Sequence, residues 1–186
     1  MTVDTAHQDL NRRGRQRGAL ILALFALVWA VAGASGMTSS GAAATVVRVA
    51  AVVMTAVAVL LAVRSGSSST AQRPRQLPAG WYRRVGLVNV AQAVASVLAV
   101  AILIAAGAPM LIPPVVCLIV GGHFFPLAWL FDQPQYWWTG ASLSIVAAAG
   151  FITLAAGAGA EVSRVVVGLG AAITLWGTSL HVARRG

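Results

Sequence analysis

The sequence has few charged residues, and none of them is lysine. Charged residues make up 9% of the 186-residue chain, and all 13 basic residues are arginine. A soluble domain carries about 25% charged residues. Because 59% of this chain is hydrophobic, too little polar surface exists to cover a globule in water. The composition therefore predicts a protein whose main solvent is lipid.

Acidic residues and cysteine are scarce as well, and this excludes several kinds of chemistry. The single cysteine, Cys117, lies in an apolar run, so the chain has no intrachain disulfide and no Cys/His spacing typical of a metal site. The only acids are Asp4, Asp9, Asp132 and Glu161, and none falls inside an apolar run. Membrane-embedded carboxylate pairs for acid–base catalysis are therefore missing. We expect no metal, no cofactor and no enzymatic activity.

Six apolar runs are long enough to cross a bilayer, which takes about 18 or more residues. Backbone groups in lipid must pair within their own segment, and no run shows sustained alternation of polar and apolar residues, so we expect helices. The fold prediction is an all-α, polytopic membrane protein, with six transmembrane helices arranged as three hairpins in a domain over residues 18–183. The predicted spans are residues 18–36, 43–63, 85–107, 110–131, 137–157 and 162–183.

Eleven arginines lie in three segments that flank the apolar runs, which favours a topological role over nucleic-acid binding. With six spans, these segments share one side of the membrane, and the positive-inside rule predicts cytoplasmic N and C termini. The arginine-rich, lysine-free composition suggests a bacterial inner-membrane protein. We expect a disordered basic tail over residues 1–17 and a flexible cytoplasmic linker over residues 64–84.

Polar side chains gather in the predicted cytoplasmic half of four helices. At about 1.5 Å of rise per residue, His123 lies about 12 Å deep. Such groups are costly in hydrocarbon, so each needs a partner. One interpretation is a ligand-binding pocket open to the cytoplasm; the alternative is hydrogen bonds, each worth about 1 kcal/mol or less, that hold helices together. The candidate ligand-binding residues are His123, Asn89, Gln92, Thr139, Ser142, Thr174, Thr178 and His181.

Proline makes the fourth span the most irregular one. Pro126 cannot donate a hydrogen bond to the carbonyl of Gly122, which is next to His123. We therefore expect a kink with a small polar site at His123. Pro113 and Pro114 are expected to bend the outer end of the same helix or to end it.

Three charged residues remain for the predicted outer side of the membrane. Arg48 and Arg164 lie just inside the second and sixth spans, and Glu161 precedes Arg164. Arg48 is expected either to form an outer ion pair with Glu161 or to extend towards the lipid headgroups.

The segment CLIVGGHFFPLAWLFDQPQYWWTG, residues 117–140, resembles a pattern found in small, uncharacterised bacterial multi-pass membrane proteins. In that pattern a G-x-H-F-x-P-L-A helix leads through a short loop into a helix that contains tyrosine. The resemblance implies no activity, but it implies that His123 and Pro126 are important.

Two functions fit these features. The first is a small-solute transporter or transport subunit, with the polar cluster as its site. The second is a non-catalytic accessory or scaffold subunit of another membrane complex. The expected partners are the lipid bilayer and either a second copy of the chain or another membrane protein, and no nucleic acid is expected.

Overall fold

The computed structural model describes residues 3–38, 40–65 and 80–184. They form α-helices, and the connections from α3 to α4, from α4 to α5 and from α5 to α6 are short. Six of the helices are long and apolar enough to cross a membrane, which confirms the predicted all-α, six-span fold. The helices are α1 (Val3–Ala34), α2 (Gly41–Ser65), α3 (Trp81–Ala105), α4 (Ile112–Phe131), α5 (Pro134–Ala155) and α6 (Gly159–Arg184).

The two ends of the bundle differ in the helix termini and connections that they contain. We call the end where α2 finishes at Ser65, α3 begins at Trp81 and α6 finishes at Arg184 the arginine-rich end. The other end, with the connections after α1, α3 and α5, is the short-loop end. The connection between α3 and α4 includes a single turn of 3-10 helix, Pro109–Leu111.

Helix α6 is the centre of the bundle, because it packs against α1, α2, α4 and α5. The helices of each sequential hairpin contact each other, as predicted. The most extensive contacts, however, join α1 to α6 and α4 to α5, which belong to different hairpins. The three hairpins are therefore merged into one bundle rather than lying side by side.

The contact between α1 and α6 depends on small residues. A β-carbon built on Gly33 would lie 2.9 Å from the backbone nitrogen of Leu169. Nearer the arginine-rich end, the Ser179 hydroxyl donates a hydrogen bond of 2.8 Å to the carbonyl of Ala19. Close approach of this kind lets backbones gain dispersion contacts in lipid, where helices have no hydrophobic drive to associate.

Helices α2 and α3 lie at opposite edges of the bundle. Helix α2 packs on α1 and α6, and the Trp176 indole on α6 donates a hydrogen bond of 3.1 Å to the Thr55 hydroxyl on α2. Helix α3 has no buried residue and packs on α4 and the adjoining 3-10 turn.

Two boundaries differ from the expectations above. The backbone of residues 3–17 is helical as part of α1, where a disordered tail was expected; this segment has no proline and is rich in the helix-forming residues arginine and glutamine. The linker expected over residues 64–84 lies mostly outside the described residues, and within it α2 continues to Ser65 and α3 starts at Trp81.

Candidate functional site

His123 lies on the side of α4 that is half-buried. Its ring Nδ1 lies 3.1 Å from the carbonyl oxygen of Val120 on the same helix, so an Nδ1–H proton would donate to that carbonyl. In that tautomer Nε2 is left as a hydrogen-bond acceptor. The ring also packs edge-on against Phe124, with centroids 4.8 Å apart. Among the described residues Nε2 has no hydrogen-bond partner.

A close contact with α5 fixes the neighbourhood of His123. A β-carbon on Gly121 would lie 3.0 Å from the Ser144 hydroxyl and 3.1 Å from the carbonyl of Gly140. The Cys117 thiol, one turn away, donates to the carbonyl of Leu143 at 3.4 Å. Glycine at the crossing therefore brings α4 and α5 together, and His123 is directed to another side of α4.

The prolines of α4 have two different roles. Pro126 lies inside the helix and is exposed, so the Gly122 carbonyl lacks its usual donor beside His123. Pro113 and Pro114 instead lie in the first turn of α4, where backbone N–H groups have no intrahelical partner, so these two begin the helix. Pro114 is also buried, close to Gly150 of α5.

The predicted threonines meet between α5 and α6. The hydroxyl oxygens of Thr139 and Thr178 are 2.7 Å apart and buried. The Thr139 hydroxyl lies 2.9 Å from the carbonyl of Gln135, and the Thr178 hydroxyl lies 2.9 Å from that of Thr174. Two hydroxyl protons thus serve three short contacts, so this pair has no donor left for a ligand.

Other predicted site residues on α5 and α6 are less enclosed. Thr174 donates to the carbonyl of Gly170 on its own helix at 2.9 Å. Ser142 and His181 are half-buried, and no described residue hydrogen-bonds to either side chain. The polar groups of these two helices therefore bond chiefly to backbone carbonyls and to each other.

The predicted residues of α3 do not join this group. Asn89 is exposed, and Gln92 donates to the Ser96 hydroxyl one turn along the same helix at 3.3 Å. Helix α3 packs on α4 and has no extensive contact with α5 or α6. The structure places the threonine pair between α5 and α6 and the two amides on α3, and ligand binding by these residues stays a prediction. A β-carbon on Gly86, the one glycine within α3, would meet no atom within 4 Å, so this glycine makes no close helix contact among the described residues.

Aromatic residues hold α3 to α4 at the arginine-rich end. The Trp81 indole donates a hydrogen bond of 3.0 Å to the carbonyl of Leu130. Its ring meets Phe131 edge-on at 4.9 Å, and Phe131 in turn meets Tyr136 at 5.7 Å. These ring contacts join the start of α3 to the end of α4 and the start of α5.

Glu161, near the short-loop end, is bonded to a threonine of the loop after α1. The Thr38 hydroxyl donates a hydrogen bond of 2.6 Å to the Glu161 carboxylate. Arg48 is exposed and Arg164 is half-buried, and neither forms an ion pair with Glu161 in the described part of the chain. The loop after α1, rather than α2, therefore contacts the start of α6.

Several interhelical bonds could not be anticipated from the polar cluster. Thr55 and Trp176 pair across α2 and α6, and the Ser163 hydroxyl donates to the Gly150 carbonyl at 3.0 Å. The only signal for Thr55 is its place on a stripe at three- and four-residue spacing with the buried Ala51, Ala58 and Ala62. Within the described ranges, no three His, Cys, Asp or Glu side chains lie together as a metal site would require.

Comparison with known proteins identifies a family and no activity. No curated protein and no solved structure matches the chain. A family model, described as a family of unknown function, DUF7010, matches residues 3–180. The chain, a multi-pass integral membrane protein, therefore belongs to the DUF7010 family.

Proposed function

We propose that this protein is a non-catalytic membrane subunit that acts by associating with another membrane-embedded protein through α3. One observation carries the proposal: the amide of Asn89 is exposed on a helix that has no buried residue. No described residue hydrogen-bonds to this amide.

The depth of Asn89 makes its exposure costly. It follows Trp81 by eight residues, which corresponds to about 12 Å along the helix. Trp81 sits at the start of α3 beside two arginines, a composition typical of the membrane interface. Asn89 would thus face hydrocarbon, where polar side chains are rare and usually face protein or water. A partner helix with a hydrogen-bonding group at that depth would satisfy the amide.

The face around Asn89 is suited to close helix contact. Tyr82, Gly86, Asn89 and Ala93 recur at spacings of three and four residues, so they share one side of α3. All four are exposed, and a β-carbon on Gly86 would meet no atom within 4 Å. Small residues at such positions let a second helix approach. Asn89 can both donate and accept, so a second copy of the chain and a different protein are both suitable partners.

Site-specific photocrosslinking tests this association in native membranes. A photoreactive residue at position 93 lies on the Asn89 face, and one at Leu98 lies on a different exposed face of the same helix. We expect a protein adduct from position 93 that disappears with Asn89→Leu, and no protein adduct from position 98. Gln92→Leu is the matched control, because the Gln92 amide already bonds to Ser96. The adduct mass separates a second copy from another protein, and equal adducts or none from both positions would contradict the proposal.

A second candidate function is the passage of a small solute or proton past His123. The observation in its favour is the free ring nitrogen of a half-buried histidine, next to a carbonyl that Pro126 deprives of its donor. Proteoliposomes that contain a pH-sensitive dye report proton entry directly. Under this function, His123→Gln stops the flux and His181→Gln leaves it unchanged. The accessory function predicts no flux in the wild-type protein and no effect of His123→Gln on the crosslink.

A further inference from the structure

His123 lies in the row of α4 residues that faces α3. Ile119, His123 and Leu130 are half-buried and recur at spacings of four and seven residues, so they share one face of the helix. Helix α3 packs on this face, where the Trp81 indole bonds to the Leu130 carbonyl. Gly121, which meets α5, lies about 200° round the helix from His123. The ring of His123 is therefore turned away from α5 and towards α3.

The bond from Trp81 to Leu130 also sets the register of the antiparallel pair α3 and α4. Seven residues further along α3 is Val88, and seven residues back along α4 is His123, so both lie about 10 Å from that bond. Val88 is half-buried like Trp81 and shares its face of α3. Asn89, the next residue, thus lies at the level of His123 and about 100° round α3 from the contact with α4.

Asn89 lies on the side of α3 that is turned towards α1. In an antiparallel pair of right-handed helices, the residues that follow each contact row by one position lie on the same side of the pair. Asn89 follows the contact row of α3 in this way, and Phe124 follows that of α4. The Phe124 ring meets the Tyr136 ring with centroids 5.8 Å apart, and the Tyr136 hydroxyl would lie 3.9 Å from a β-carbon on Gly18 of α1. Asn89 therefore faces the gap between α3 and α1.

Helix α1 turns an aromatic residue to the same gap. Phe25 follows Gly18 by seven residues, so it shares that face of α1, and it is 55% exposed. Helices α1 and α3 have no extensive contact with each other. We call the gap between them the α1–α3 crevice. Its sides carry Phe25 and Asn89, and the half-buried His123 lies at its floor on α4.

Two hydrogen-bonding groups in the α1–α3 crevice have no partner among the described residues. They are the amide of Asn89 and Nε2 of His123. Acyl chains form no hydrogen bonds, so lipid in the crevice would leave both groups unsatisfied at a cost in free energy. A polar side chain that enters the crevice from a neighbouring membrane helix would satisfy both. Such a helix would pack on α1 and α3 together.

Resting on the association through α3 proposed above, we infer that the partner helix covers the α1–α3 crevice and inserts one polar side chain into it. This side chain donates a hydrogen bond to Nε2 of His123 and bonds to the amide of Asn89. Because Asn89 faces α1 of its own chain, it is not directed outwards to a second copy, and a different protein supplies the side chain. The other exposed side of α3 carries Leu87, Val94 and Leu98, which lipid can cover.

Photocrosslinking from α1 in native membranes tests this contact in the full chain. A photoreactive phenylalanine analogue replaces Phe25, and the same analogue at Val53 is the control, because Val53 is exposed on α2. We expect position 25 to give the same partner adduct as position 93, and position 53 to give none. His123→Leu removes the acceptor and should reduce the adduct from position 25 about fivefold, whereas His123→Gln keeps an acceptor and should preserve most of it.

The outcomes separate this inference from the proposed function. Without a protein adduct from position 93, the association through α3 is itself wrong, and the inference falls with it. An adduct from position 93, with none or only a lipid adduct from position 25, would retain the association but show that the partner does not cover the crevice. An undiminished adduct in His123→Leu would overturn the bond to His123, and an adduct with the mass of two chains would overturn the choice of a different protein.

A second variant keeps the test decisive if His123→Leu does not fold, which its size-exclusion profile reports. Asn89→Leu changes an exposed residue, so it is expected to fold. It should abolish the adduct from position 25 as well as that from position 93. Loss of the adduct from position 93 alone would contradict a single partner helix in contact with both α1 and α3.

Discussion

Gly33 of α1 and Gly168 of α6 lie in direct backbone contact. A β-carbon on Gly168 would collide with the backbone of Gly33, and one on Gly33 would lie 2.9 Å from the nitrogen of Leu169. This contact joins the first helix to the last, across more than a hundred residues of sequence. Backbone atoms cannot move aside as a flexible side chain can, so the crossing tolerates no larger residue.

Gly168→Ala should therefore destabilise the protein. Overpacking a tight contact by one carbon costs about 1–3 kcal/mol, and here the obstacle is the backbone of α1. Gly177→Ala is the matched control on the same helix, because a β-carbon there meets no atom within 4 Å. It should be neutral or stabilise the helix by up to about 1 kcal/mol. Thermal unfolding in detergent measures both variants, and equal midpoints for the two would contradict this account of the crossing.

The threonine pair between α5 and α6 should contribute a small, measurable coupling. Thr139→Val and Thr178→Val each remove one hydroxyl from a contact of 2.7 Å. Interhelical hydrogen bonds in membranes are worth about 0.6 kcal/mol on average, so each single change should cost about 1 kcal/mol or less. A double-mutant cycle on unfolding free energy isolates the pair. Strict additivity of the two changes would show that the hydroxyls act only through their own helices.

The number and position of the helices could be predicted from the sequence because a long apolar run in lipid must form a helix. The meeting of Thr139 and Thr178 was also within reach, since both lie near the arginine-rich end of helices in one hairpin. These inferences need only local composition, hairpin connectivity and the rise of a helix per residue.

The sequence did not allow us to predict which helices are neighbours in the bundle. Asn89 was expected to face the same pocket as Thr139 and Thr178, but a sequence does not show that α3 packs at the edge of the bundle. The contact between Gly33 and Gly168 was equally hidden, because the chain has 19 glycines and nothing local distinguishes these two. The order of helices around the bundle is decided by shape complementarity between segments that are distant in sequence. The periodicity of apolar and polar residues within one helix does not show which helix will be its neighbour.

Helix α3 should be the least stable of the six. It has no buried residue, and its attachment includes the hydrogen bond of 3.0 Å from Trp81 to Leu130. Segments with few buried contacts open at low free energy. Hydrogen exchange should therefore be faster in α3 than in α6.

The Trp81→Phe variant tests the attachment of α3. It keeps an aromatic ring near Phe131 but removes the indole donor. Exchange in the first turns of α3 should rise, while exchange in α6 stays the same. Trp138→Phe is the control, because Trp138 is 75% exposed. If Trp138→Phe accelerates exchange in α3 as much as Trp81→Phe, the indole bond does not hold the helix.

Cys117 should report the opening of the contact between α4 and α5. It is the only cysteine of the chain, it is 0% exposed, and its thiol donates to Leu143. A maleimide should therefore leave the folded protein unlabelled for as long as this contact stays closed. A cysteine at the exposed Ala106, in a Cys117→Ser background, gives the rate for an accessible thiol.

Gly121→Ala should speed the labelling of Cys117, because a β-carbon there would lie 3.0 Å from the Ser144 hydroxyl and push the two helices apart. Labelling of the wild-type thiol at the rate of the Ala106 site would show that α4 and α5 are not packed as described.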